Sequence, residues 1–296
     1  MVRYTEGDEK EITGTGPGGP IGGTTVQSMR NKKGFICDMD GVIYHGDRLL
    51  PGVREFVAWL EREKKEFLFL TNNSSRTQRE LQAKLSRMGL DIDEKHFYTS
   101  ALATAEFVAS QMPGARAFVI GEPGLLNALY ERGITMDETD PDYVIVGESS
   151  YTYDSICRAA RCVQNGARLI GTNTDLTAPT EFGIVPACRA LVAPIELATG
   201  KEAYYVGKPN PLMMRTGINI LGVHSQDTVI IGDRMDTDIV AGIECGMDTV
   251  LVLSGVTDRA QIDHFPYRPR LVLNGVGEIP DTAFPKELSL LESPAV

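Results

Sequence analysis

Phe35-Ile36-Cys37-Asp38-Met39-Asp40-Gly41-Val42 is the stretch that decides the fold. Three apolar residues run into two aspartates and a glycine, as expected of a buried strand that ends in a tight polar turn. The same beat recurs along the chain. Short apolar runs at 67–70, 117–120, 143–146, 168–170, 203–206, 228–231, 249–253 and 271–273 read as further strands, and amphipathic stretches separate most of them. Val53, Phe56, Val57 and Leu60 follow Pro51-Gly52 at helical spacing and predict a helix on which Trp59 packs inward. Ser75 and Gln78 form a capping-box signature ahead of Leu81, Leu85 and Met88. Strand–helix alternation from residue 34 onward predicts an α/β fold on a parallel, doubly wound sheet.

In such a sheet the chemistry lies just beyond the carboxyl ends of the strands. Four of these ends carry reactive groups: Asp38-Met39-Asp40-Gly41, Thr71-Asn72-Asn73-Ser74, Gly207-Lys208-Pro209 and Gly232-Asp233-Arg234-Met235-Asp236-Thr237-Asp238. Asp38 and Asp40 are two apart and can face the same side. Converging carboxylates repel unless a cation lies between them, and Asp233 adds a third oxygen donor, so the set suits Mg²⁺. A carboxylate cluster beside a lysine and hydroxyl donors suits phosphoryl transfer, which is mostly positioning and charge neutralisation. Asp38 is then the expected nucleophile, and Asp40 the acid that protonates the leaving oxygen and later activates water. Thr71 and Asn72 are expected to donate hydrogen bonds to the phosphoryl group, and Lys208 to offset its charge. For Asp238 the pattern also allows a helix N-terminal carboxylate, the role expected of Asp236.

The 296 residues carry 29 Lys+Arg against 40 Asp+Glu, a net charge of −11 that argues against non-specific binding to nucleic acid or acidic membranes. Hydrophobic residues at 42% and charged residues at 23% indicate a globular chain and exclude disorder for its bulk. No apolar run approaches the ~20 residues of a membrane span. The five cysteines are scattered, form no C-x-x-C and match no zinc framework. Together with the lack of signal-peptide order, this predicts buried thiols in a reducing cytoplasm. Residues 1–33 stand apart as an expected flexible leader. Within them Gly14, Gly16 and Gly19 spell G-x-G-x-x-G, but no strand precedes them and Pro17 and Pro20 break any helix start there, so no dinucleotide site is expected. His45 comes soon after the nucleophile turn, which leaves room for an approach to substrate without requiring one, whereas His96, His224 and His264 are expected on the surface or in loops.

The motifs DMDGV (38–42), TNNS (71–74), GKP (207–209) and GDRMDTD (232–238), in this order, resemble those of the haloacid dehalogenase-like superfamily of phosphotransferases. The likeness spans about residues 34–280. The segment between Thr71 and Lys208 far exceeds the ~30 residues of one crossover, leaving about 100 residues for an inserted α/β cap. That placement resembles the large-cap (type IIA) phosphatases. FYTSA (97–101), PDYVIVGE (141–148), PAC (186–188) and VLVLSGV (250–256) are similar to its ribonucleotide monophosphatase branch.

The resemblance implies a Rossmann-like core of residues 34–103 and 201–296, with a substrate-selecting cap at 104–200 whose loops 171–179 and 182–190 face the substrate. It implies that Asp38 is nucleophile and metal ligand, and that Asp40 is acid/base and lends a backbone carbonyl to Mg²⁺. Asp233 would be the third ligand with Asp238 behind it, and Thr71, Asn72 and Lys208 would touch phosphate. The expected activity is Mg²⁺-dependent hydrolysis of small phosphate monoesters, foremost nucleoside 5′-monophosphates, through an aspartyl-phosphate. The alternatives are a sugar-phosphate phosphatase on the same core, or a non-hydrolytic phospho-aspartate signalling protein, against which Asp40 speaks. A small phosphorylated metabolite is the expected partner, with no nucleic acid and no membrane. Self-association stays open.

Overall fold

The computed structural model describes residues 24–180 and 183–281. They build two parallel sheets. The larger has six strands in the spatial order Leu271–Leu273, Asp248–Val252, Thr228–Gly232, Gly34–Cys37, Glu66–Thr71, Phe97–Thr99. Chain order runs outward in both directions from Gly34–Cys37, so the order reverses between that strand and Thr228–Gly232. This is the topological switch point, the crevice where doubly wound sheets bind ligands. Register fixes what meets there. Cys37 lies opposite Ile231 on one side and Phe69 on the other, so Asp38, Gly232 and Leu70 lie side by side at this edge.

These strands are continuous apolar runs because helices cover both faces of the sheet. Alternate residues of Gly34–Cys37 enter different cores. Phe35 and Cys37 pack with Phe56, Trp59 and Leu60 of the helix Val53–Arg62. Ile36 packs on the opposite face with Leu68, Leu70 and the helix Pro211–Leu221, through Met213 and Met214. Phe35 is enclosed edge-on by Trp59, ring centroids 5.4 Å apart, and by Phe56 at 6.4 Å. Trp59 therefore packs as expected.

The second sheet has five parallel strands in the order Tyr204–Tyr205, Arg168–Gly171, Tyr143–Val146, Arg116–Ile120, Thr135–Met136. The helices Pro123–Glu131, Tyr153–Gln164 and Cys188–Thr199 lie between its strands in the chain. It returns through Tyr204–Tyr205, which pairs with Ile170 and Gly171 and leads directly into Gly207-Lys208. This sheet thus extends past the expected boundary at residue 200.

Several local expectations are corrected. Residues 26–30 of the expected leader form a helix, capped by Thr25, that buries Met29; Gly14, Gly16 and Gly19 lie outside the described residues. The capping box belongs to Thr77 and Glu80, not Ser75 and Gln78, because Asn73 Oδ1 takes the Ser75 N–H at 3.0 Å and its hydroxyl at 2.6 Å. Phe97–Thr99 adds an edge strand too short to stand out in the sequence, and Thr99 then caps the next helix. Part of the expected loops at 171–179 and 182–190 is an antiparallel hairpin, Thr177–Thr180 with Gly183–Pro186. His96 stacks on Phe67 with centroids 4.0 Å apart, and its Nδ1 lies 2.9 Å from the Phe67 carbonyl oxygen.

Because Phe35 braces the strand that ends in Asp38, Phe35→Ala should cost about 3–5 kcal/mol of stability, the usual penalty for emptying a buried aromatic site. Urea denaturation measures it, and a loss below about 1 kcal/mol would refute this packing.

Candidate active site

Lys208 is the centre of the arrangement. Its Nζ donates to Asp38 Oδ1 at 2.5 Å, to Asp238 Oδ1 at 2.8 Å and to the Leu70 carbonyl at 3.2 Å, which engages all three ammonium donors. All the charges involved are buried, with relative exposures of 2% for Lys208, 9% for Asp38 and 1% for Asp238. Burial alone would lower the lysine, but Asp238 and Asp38 together outweigh it and hold the ammonium above its ordinary range. Burial pushes the Asp38 carboxyl up, and Lys208 opposes it.

Asp233 is the third carboxylate and is equally buried, at 2%. Its Oδ2 accepts the Val256 N–H at 2.7 Å, while its Oδ1 is buried with no hydrogen-bond partner among the described residues. Burial first, and the neighbouring Asp238 second, push this carboxyl up to about 7. The turn after Asp38 makes room for it. Gly41 has φ +78°, and a Cβ there would fall 2.5 Å from Asp233 Oδ2; one on Gly255 would fall 2.0 Å from the same oxygen. Glycine is required at both positions by this close approach.

Oxygens of Asp38, Asp233 and Asp238 lie within 4.8 Å of one another, so three carboxylates face a single ammonium. An all-oxygen donor set of this kind, with one buried oxygen left unpaired, fits a hard divalent cation. Asp238 differs from the other two. Its Oδ1 is held by Lys208 and its Oδ2 accepts the Arg234 N–H at 3.2 Å, so both oxygens are engaged. It lies within the wide turn Met235–Ile239 and not at a regular helix start, whereas Asp236 is more exposed and pairs with Arg234.

A cavity of about 580 Å³ opens over this cluster. The larger sheet contributes Asp38, Asp40, Thr71 and Asn72, and the second unit contributes Glu148, Asp175, Thr177 and Ala178. His45 lines the cavity. Asp40 opens onto it, and its carboxyl is raised by desolvation, opposed by Lys84 and by Tyr44. Thr71 is buried and its Oγ1 accepts the Asn73 N–H at 3.1 Å. The Asn72 side chain is engaged within the protein: Nδ2 donates to Asp175 Oδ2 (3.2 Å) and the Lys208 carbonyl (3.1 Å), and Oδ1 accepts the Lys208 N–H (2.7 Å). It ties the second strand end to the lysine turn.

Glu148, Asn173 and Asp175 were not singled out from the sequence. The Glu148 carboxylate accepts the Ser74 N–H at 3.1 Å and also the Ser74 hydroxyl and the Asn173 amide. Asn173 Nδ2 reaches the Asn72 carbonyl at 2.7 Å. Reading the residues after each apolar run, as for the first four clusters, also reaches Glu148 after Val146-Gly147 and Asn173 after Gly171-Thr172, with Asp175 two residues further on.

A sequence profile described as haloacid dehalogenase-like hydrolase matches residues 35–135, and one described as HAD-hydrolase-like matches residues 205–279. The chain is 45% identical to the dihydroxyacetone phosphatase of Corynebacterium glutamicum, over 83% of this chain and 90% of that one. It is 43% identical to the ribonucleotide monophosphatase NagD of Escherichia coli K-12, over 83% and 98%. The solved structure of NagD superposes with a TM-score of 0.79, covering 84% of this chain and 99% of that one. The chain belongs to the haloacid dehalogenase-like hydrolases. It is a phosphatase of the NagD-like, type IIA branch, with an α/β cap inserted in a doubly wound core. Among the described residues no helix is long and apolar enough to cross a membrane.

Asp175 gives this site a pH signature of its own. Desolvation first raises its carboxyl from 3.8 to about 6, against the pull of Arg234 and Lys208. A carboxyl raised on folding contributes stability that is complete below pH 3.8 and is lost as the pH rises through about 6. Asp175→Asn should therefore gain stability relative to the parent chain from about pH 4 to about pH 7, and the difference should level off above that. Denaturant midpoints of both proteins across that range check this, and a constant difference would refute it.

Proposed function

We propose that this phosphatase hydrolyses phosphate monoesters through an aspartyl-phosphate on Asp38 with Mg²⁺ as its metal, and that its substrates are nucleoside 5′-monophosphates. The observation that carries the reading is the buried Asp38–Lys208–Asp238 group beside Asp233 Oδ1, which has no partner of its own among the described residues. A carboxylate held this firmly at the floor of a cavity is oriented for attack, and its rotational freedom is already removed. Asp38, Asp233 and the Asp40 backbone carbonyl would hold the cation, with Asp238 behind them; bound there, it would neutralise charge between the carboxylates and the phosphoryl oxygens.

Asp38 Oδ forms a bond to phosphorus as the bond to the leaving oxygen breaks, and Asp40 gives that oxygen a proton. Water then attacks the aspartyl-phosphate, Asp40 takes its proton back, and orthophosphate leaves with Asp38 regenerated. Thr71 contacts the phosphoryl oxygens, Lys208, its three donors already engaged, offsets their charge from the floor, and Asn72 serves mainly by fixing the Lys208 turn. The second sheet, from Arg116–Ile120 through Tyr204–Tyr205, and its helices act as the cap that closes over the core and excludes water. Buried free thiols at Cys37, Cys162 and Cys188 suit an enzyme of the reducing cytoplasm.

A triose or sugar phosphate is the second reading, and the identity to a dihydroxyacetone phosphatase favours it. Phosphate release from UMP, GMP, glucosamine 6-phosphate and dihydroxyacetone phosphate, with Mg²⁺ and with EDTA, separates the two. The expected result is metal-dependent release with the highest kcat/KM for UMP or GMP. Asp38→Asn should lower kcat by at least about 10⁴-fold on every substrate, since the covalent route is then lost. Near-normal turnover by that variant would refute Asp38 as nucleophile.

A further inference from the structure

Asp40 stands two residues after Asp38 and faces different neighbours. The turn folds back on itself: Gly41 N–H donates to the Tyr44 carbonyl at 2.9 Å, and Tyr44 N–H to the Met39 carbonyl at 3.2 Å. This brings the phenol beside the carboxyl, and Tyr44 Oη donates to Asp40 Oδ2 at 3.2 Å. Behind the ring, Lys84 Nζ lies 3.7 Å from its centroid. Lys84 comes from the helix Gln78–Arg87, is itself buried, and makes no ion pair among the described residues. An apolar side chain would fill that place at less desolvation cost. The ammonium pressed on the ring face holds the phenol in place and polarises its hydroxyl towards Asp40.

We propose that Tyr44, backed by Lys84, is a positioning residue for Asp40: it fixes one carboxyl oxygen so that the other is presented to the leaving-group oxygen. The inference rests on the reading of Asp40 as the acid of the proposed reaction. As the Asp38–phosphorus bond forms and the bond from phosphorus to the leaving oxygen breaks, that oxygen keeps the electron pair and takes the proton of Asp40. Tyr44 retains its own proton and donates its hydrogen bond to the carboxylate so formed. In the second step the attacking water returns a proton to Asp40.

The test varies the leaving group. p-Nitrophenolate departs without needing a proton, whereas an alkoxide does not. kcat/KM is measured for p-nitrophenyl phosphate and for the best alkyl phosphate of the panel, with the parent chain, Tyr44→Phe and Asp40→Asn. Phenylalanine keeps the ring under Lys84 and removes only the hydroxyl, and near-UV circular dichroism checks that the fold is retained. Tyr44→Phe should lose about tenfold more on the alkyl phosphate than on the aryl one, roughly the effect of one hydrogen bond to a charged group. Asp40→Asn should show the same asymmetry, larger, because the acid itself is gone. An equal loss on both substrates for Tyr44→Phe, or none on either, with Asp40→Asn still selective, overturns the positioning role alone. Equal losses for Asp40→Asn overturn the acid reading and this inference with it. A merely structural role for Tyr44 moves both substrates together.

Discussion

The buried pairing of Lys208 with Asp38 and Asp238 is the constraint around which the rest of the molecule is organised. Removing one partner from such a group leaves an uncompensated charge in the interior, at a typical cost of about 3–5 kcal/mol. The group therefore fixes three strand ends relative to one another: Asp38 from the central strand, Asp238 from the turn after Thr228–Gly232, and Lys208 from the chain returning out of the second sheet. It still leaves the local charge unbalanced. With Asp233 included, three carboxylates meet one ammonium, and a dianionic phosphate cannot approach until positive charge is added. The surplus of carboxylate is thus a device for recruiting a cation, and the lysine limits how much cation is needed.

The second unit does more than roof the cavity. Its strand ends reach into the loop after Glu66–Thr71 through Glu148, Asn173 and Asp175, and the Asn72 amide carries the tie onward to Lys208. Each of these groups has few alternatives once buried, since an unpaired amide or carboxylate there is costly. The placement of the loop after Glu66–Thr71 is consequently shared between the two units, and a change in how they pack would be felt at Thr71 and Lys208.

The core was legible in the sequence because its parallel strands are covered on both faces. Such strands read as unbroken apolar runs, and the structure gathers the first polar residues after them, Asp38, Thr71, Lys208 and Asp233, at one cavity. What was missed shares a physical cause. Glu148, Asn173 and Asp175 act across units, so their partners are set by tertiary packing and not by any local pattern. Thr77 and Ser75 are both plausible caps two positions apart, and only the Asn73 side chain, bonded to Ser75, decides between them. The Tyr204–Tyr205 strand looks like one of the core's because it leads into Lys208, yet its register places it against Gly171. Asp238 could have served a helix terminus, and its role became clear only with Lys208 at 2.8 Å.

Asp38 and Asp40 show how environment divides work between identical side chains. They share a turn, are separated by one residue and carry the same side chain. Asp38 ends the strand with its N–H still in the ladder, donating to the Ile231 carbonyl at 2.9 Å, and its carboxyl points into the charged floor. One of its oxygens is held by a full positive charge, which opposes the effect of burial and holds the side chain still. Asp40 comes after Met39, which is buried in the core on the Phe35 side of the sheet, and that burial turns the next carboxyl away from the floor towards the cavity. There it accepts the Tyr44 hydroxyl, and burial raises it while Lys84 and Tyr44 oppose the rise. The apolar residue between the two aspartates thus sets the turn that sends one carboxylate to the charged floor and the other to the cavity beside Tyr44.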